Sequence, residues 1–137
     1  MRKHFAVALV ATSTLLNAAS HSAFARGTSR NFEPPLPGDT SGWLGESGTA
    51  SYYGPAHQGR RSASGLRFDQ KLLTAAHPWL PFGTKVKVTL AGTRRSVIVT
   101  VTDRLYSNRR VVDLSVAAAR QLGMINSGIA EVTLAPA

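Results

Sequence analysis

Two carboxylates end two apolar runs in the stretch VTVTDRLYSNRRVVDLS, residues 99–115: Asp103 and Asp113. Burying even a neutral polar group without a partner costs roughly 2–7 kcal/mol, and an ionised one more. Each acid is therefore either matched by a cation, with Arg104, Arg109 and Arg110 close in sequence, or used to move protons. In SVIVTVTD, Val97, Val99 and Val101 share one face, and the same period of two carries Asp103 onto that core face at the strand's end. From there one carboxyl could give up a proton and later retrieve it. Asp113 stands two residues before Ser115, which reads as a helix N-cap. Its expected role is structural: accepting backbone N–H bonds at the helix start.

Other chemistry is scarce. The chain has no cysteine, which excludes disulfides and thiol catalysis. Of its four histidines, His4 and His21 lie in a segment expected to be cleaved, leaving His57 and His77 without further ligands at metal spacing; no metal and no cofactor are expected. His77 precedes Pro78, which favours extended backbone there. Asp69 could orient a ligand or cap the turn after Ala63-Ser64-Gly65. Among the aromatics, Tyr53 and Tyr106 are expected at a groove, and Phe82 and Trp79 in the core.

The elements that must position these groups are mostly β. Residues 48–54 (GTASYYG), 84–90 (TKVKVTL), 96–103 and 109–114 (RRVVDL) read as strands, with a hairpin at AGTRR and a final strand over 128–135. Ser115 caps one helix, VAAARQLG, closed by Gly123 as a left-handed C-cap. Short strands, glycine turns and one brief helix point to a small closed β-barrel.

The N-terminus sets the compartment. Arg2, Lys3 and His4 precede an apolar run over 5–19, and Ala23 and Ala25 form an A-x-A cleavage pattern. Residues 1–25 are expected to be a signal peptide, 26–47 a flexible Gly/Pro/Ser-rich leader, and 48–135 the domain. The protein is then secreted across the inner membrane to the periplasm, with extracellular release as the alternative, and carries no membrane anchor after cleavage. A net charge of +9 suits an anionic envelope polymer. Secretion argues against nucleic acid.

The blocks GTASYYG, SASG-LR-FD, LTAAH, LPFGT, VTDR and R-VDLS-AAA--LG follow in this order with short spacings. Over about 48–134 the chain closely resembles the rare lipoprotein A (RlpA-like) family. That resemblance implies a mainly β fold: a small six-stranded double-psi β-barrel with one short helix, similar to expansins and barwin-type proteins. It also implies an endolytic lytic transglycosylase that cleaves peptidoglycan glycan strands and leaves 1,6-anhydro ends; a monomer is expected. The family's site positions match at Asp69, His77 and Asp103, expected to be catalytic. Tyr53, Ser64, Arg104 and Tyr106 are expected to bind substrate. The chain departs in two places: Leu66 stands where the family carries an acid after Ala-Ser-Gly, and Leu105-Tyr106 replace its Gly-Pro after Asp-Arg. The alternative is a non-catalytic, expansin-like module that grips glycan without cutting it.

Overall fold

The computed structural model describes residues 40–137; the expected signal peptide and residues 26–39 of the expected leader lie outside the described residues. Six strands and one helix follow in order: β1 (Glu46–Tyr52), β2 (Thr74–His77), β3 (Lys85–Leu90), β4 (Ser96–Arg104), β5 (Arg110–Leu114), α1 (Val116–Leu122) and β6 (Ala130–Pro136). The strands close into a barrel in the order β1-β5-β2-β4-β3-β6. β1–β5 and β2–β4 run parallel and the remaining neighbours antiparallel. This is the six-stranded, mainly β barrel with one helix that the sequence led us to expect.

Alternation drives the strands inward on one side. Val86 and Val88 of β3, Val97, Val99 and Val101 of β4, and Val132 and Leu134 of β6 are buried, while Lys85, Lys87, Glu131 and Thr133 face out. Ser115 Oγ accepts from Ala118 N, and Gly123, at φ +88°, closes the helix by donating to Ala119 O and Arg120 O. The Cβ of any other residue would resist that left-handed geometry. Ala118, Ala119 and Leu122 join the barrel core.

The domain begins earlier than position 48. Trp43 is buried in the core cluster and Glu46 already belongs to β1, so the last residues of the span read as leader are built into the barrel. The short strand β2 was not visible as a period, since TAAH offers only four residues. Phe82 also departs from its expected core position: it is 42% exposed, with the Arg104 guanidinium 4.0 Å above its ring. Trp79 packs against the core as expected.

Two irregularities shape the outer surface. Ala75 pairs with Val101 and Ala76 with Asp103, so Thr102 is an extra residue in β4; likewise Thr49 pairs with Arg110 and Ala50 with Val112, making Val111 extra in β5. A bulge of this kind reverses which face the following residues take.

Candidate active site

The bulge at Thr102 corrects the expected orientation of Asp103. Val101 and Asp103 would share a face in a regular strand, but their partners Ala75 and Ala76 are consecutive and face opposite ways. Asp103 therefore leaves the core side occupied by Val101. It joins a row of register partners running across four adjacent strands: Ser51 on β1, Asp113 on β5, Ala76 on β2 and Asp103 on β4. The neighbouring row, Tyr52, Leu114, Ala75 and Val101, is apolar. One polar row thus sits directly beside the core, with the small Ala76 between two carboxylates.

A hairpin over residues 59–68 folds onto this row. Gly59 N donates to Phe68 O, Phe68 N to Arg60 O, and Ser62 N to Leu66 O; Arg61 and Arg67 pair as an isolated bridge. At its tip Gly65 takes φ +88°, and Gly65 N donates to Ser62 O. Two further bonds fasten the hairpin to β4: Ser64 N to Thr102 O at 3.2 Å and Ala63 N to Asp103 Oδ1 at 2.8 Å.

Asp103 is half-buried and accepts three hydrogen bonds. Ala63 N and Arg104 N donate to Oδ1, and the Tyr53 hydroxyl donates to Oδ2 at 3.0 Å. Tyr53 is held by packing on Phe68 and His57, with centroids 4.8 and 5.0 Å away. Burial, and then the Asp103 carboxylate beside it, push the Tyr53 phenol far above its ordinary value, with Asp113 adding to the shift and Arg110 opposing it. The Tyr53 hydroxyl therefore keeps its proton for Asp103 at neutral pH. Beside this pair lies an open cavity of about 190 Å³. Tyr53, His57, Phe68, Asp103, Arg60, Arg61 and Ser62 line it, with Phe68 and Ser62 buried and His57, Arg60 and Arg61 exposed. It is smaller than the roughly 300 Å³ of an ordinary ligand cleft, which suits contact with one unit of a long chain.

No guanidinium locks Asp103. The ion pairs among the described residues are His77–Glu46 and Arg110–Asp113. Arg104 turns away, donating to His77 O and Leu80 O and covering Phe82, so its side chain does not line the cavity where substrate binding was expected of it.

Asp113 is structural, although not through the helix. Its Oδ1 accepts from Ser51 Oγ and lies 3.1 Å from Arg110 Nη1, which also donates to Ser51. Ser115 caps the helix instead.

The other expected site residues scatter. His77 is 1% exposed; its Nδ1 accepts from Leu80 N and Trp79 N, and its Nε2 donates to Glu46 Oε1 at 2.7 Å. Its ring packs edge-on against Trp43 and Trp79 rather than lining the cavity. Asp69 Oδ1 accepts from Lys71 N, closing its own turn. Ser64 is bonded to Ser62 Oγ within the hairpin. Tyr106 is 91% exposed and Leu105 is buried. Leu66, at the hairpin tip, is 62% exposed, while its carbonyl accepts from Ser62 N and Oγ. Among the described residues no three His, Asp or Glu side chains come together as a metal site.

The site residues missed in the sequence are those of the hairpin: Arg60, Arg61, Ser62 and Phe68. The arginine doublet ahead of Ser62-Ala63-Ser64-Gly65 was their one local signal.

Residues 45–134 match a family described as "Lytic transglycolase". A curated relative from Synechocystis, named "Probable endolytic peptidoglycan transglycosylase RlpA", is 52% identical over 88 residues, covering 64% of this chain and 27% of the relative. The chain spans about a quarter to two-fifths of the length of the curated relatives it matches. Among solved structures, the Streptomyces papain inhibitor aligns with TM-score 0.54 and 27% identity, covering 67% of this chain and 94% of that one. The Clavibacter michiganensis expansin aligns with TM-score 0.54 and 23% identity, covering 69% of this chain and 50% of that one; it shares the fold.

Proposed function

The chain belongs to the lytic transglycolase family, and from that premise we propose that it cleaves the glycan strands of peptidoglycan endolytically, with Asp103 as its single acid/base. The observation that carries this reading is the placement of Asp103: half-buried, free of guanidinium partners, held at both oxygens and open to a groove. In the proposed step, a protonated Asp103 carboxyl gives its proton to the glycosidic oxygen as the C1–O bond breaks. The 6-hydroxyl of the same sugar attacks C1, and its proton returns to Asp103 as the 1,6-anhydro ring closes. No water attacks, so the two carboxylates of a glycoside hydrolase are not needed. Tyr53 and Ala63 N hold the carboxylate in place between the two transfers. His77 and Asp69 support this site indirectly, through the folding of their own segments.

Secretion to the periplasm through a signal peptide over 1–25, and action as a monomer, complete the proposal; the basic N-terminal residues, apolar run and A-x-A pattern support the first.

A second reading keeps the grip and drops the cut. Leu66 presents an apolar side chain at the hairpin tip, and all three partners of Asp103 are donors, as in a module that binds glycan without cleaving it. Mass spectrometry of purified strands separates the two. Anhydro-muramic ends released by the wild type and abolished in Asp103→Asn support the enzyme. Equal retention of strands by both proteins with no new ends leaves only the binding module.

A further inference from the structure

The 59–68 hairpin carries Arg60, Arg61 and Arg67, and Arg61 and Arg67 face each other as bridge partners. Like charges set opposite in a strand pair repel, and none of the three forms an ion pair with an acidic side chain among the described residues. Arg61 and Arg67 are each anchored to a hairpin carbonyl, Gly65 O at 3.1 Å and Gly59 O at 3.0 Å. Arg60 makes no side-chain hydrogen bond or ion pair among the described residues, though its backbone is fixed on both sides by His57 O and Phe68 N. Arg60 and Arg61 both line the cavity beside Asp103. Arg61 spends one of its five N–H donors on Gly65 and keeps the rest. Two arginines outside any ion pair, on a pre-organised backbone and lining the same cavity as a single carboxylate, are suited to an anion arriving with the substrate. Guanidinium geometry favours a planar one.

We propose that Arg60 and Arg61 form a carboxylate-binding subsite beside Asp103, which takes an acidic group carried by the glycan strand. The inference rests on the proposed function for its substrate. Two groups on such a strand share this chemistry: the lactyl carboxylate of muramic acid, free where no peptide is attached, and the carboxylates of attached peptides. The subsite would set the register of the strand, placing a muramic residue over Asp103.

Equilibrium binding tests it with three strand preparations of equal length: free lactyl carboxylates, the same carboxylates converted to neutral methylamides, and peptides attached. The Asp103→Asn chain is used so that strands stay intact. We expect about tenfold tighter binding of at least one carboxylate-bearing preparation than of the methylamide strand at low salt, shrinking as salt rises. Arg60→Gln with Arg61→Gln should close that gap, and Arg60→Glu should invert it, with thermal melting confirming that each variant folds. Preference for the peptide-free acid assigns the lactyl group as the source; preference for the peptide-bearing strand assigns the peptides. Equal affinity for all three, or a gap that survives both variants, overturns the subsite. If the wild type releases anhydro ends while the gap is absent, the proposed function stands without it. If the gap is present and no ends are released, the subsite stands and the cleavage reading fails.

Discussion

The Tyr53 hydroxyl donates to Asp103 Oδ2 at 3.0 Å, from a strand end on the far side of β5 and β2. The bond spans the polar row and fixes the angle at which the carboxyl meets the groove. Tyr53→Phe removes that donor and keeps the ring packed against Phe68 and His57. We expect a fall in kcat of about tenfold, the order of one oriented hydrogen bond to a charge, with KM for glycan little altered. Rates of anhydro-end release, measured beside an unchanged melting curve, check this.

The same pair predicts an alkaline effect with a definite sign. The Tyr53 phenol is raised in the folded protein, so the fold binds its proton more tightly than the unfolded chain does. The stabilisation is whole below about pH 10, the ordinary tyrosine value, and is lost as pH climbs above it. Stability measured in urea at about pH 9 and about pH 11 should drop more steeply for the wild type than for Tyr53→Phe. Spectroscopic titration should show one of the three tyrosines still protonated when an exposed phenol has ionised.

Strand periods and cap residues were legible because they are local. Val86, Val88, Val97 and Val99 repeat within a few residues, and Ser115 and Gly123 mark the helix by their own backbone needs. The direction of Asp103 was not, because it depends on one extra residue, Thr102, that only pairing with β2 reveals. The contacts of His77 were hidden for a similar reason. Its partner Glu46 lies 31 residues earlier, in a stretch whose glycines and prolines read as leader. A resemblance that identifies residues by type carries over their identity but not their contacts.

Leu66 gives a test of the substituted position. Its side chain is exposed, and only its carbonyl holds the turn, so Leu66→Glu should fold with a stability change within about 0.5 kcal/mol. An acid at the hairpin tip could share proton transfer with Asp103, and we expect several-fold faster release of anhydro ends. An unchanged rate would place the bottleneck elsewhere, with Tyr106 on the loop after β4 the next residue to replace.

The Arg110–Asp113–Ser51 cluster should matter for stability before chemistry. Asp113→Ala strips Ser51 and Arg110 of a shared acceptor at a buried position, which costs about 2 kcal/mol. In a domain of this size Tm should fall by on the order of 10 °C. Replacing Arg110 by Gln should cost less, since its side chain is partly exposed and one hydrogen bond to Ser51 can be kept. Differential scanning calorimetry of the two variants gives the order.

His77 separates fold from catalysis most sharply. Its Nδ1 is the acceptor for Leu80 N and Trp79 N, and its Nε2–H reaches Glu46 at the start of β1. One ring thereby ties the exit of β2 to the first residue of the barrel, beneath Trp43. His77→Ala leaves two backbone donors facing a small cavity, a loss of about 2–4 kcal/mol. His77→Gln, with an amide oxygen and an N–H of its own, should recover part of that. If His77 acts only through the fold, cleavage per folded molecule will be alike in wild type, Gln and Ala at a temperature where all three are native. A rate that collapses in fully folded His77→Gln would instead show the imidazole touching the reaction, by a route other than the cavity beside Asp103.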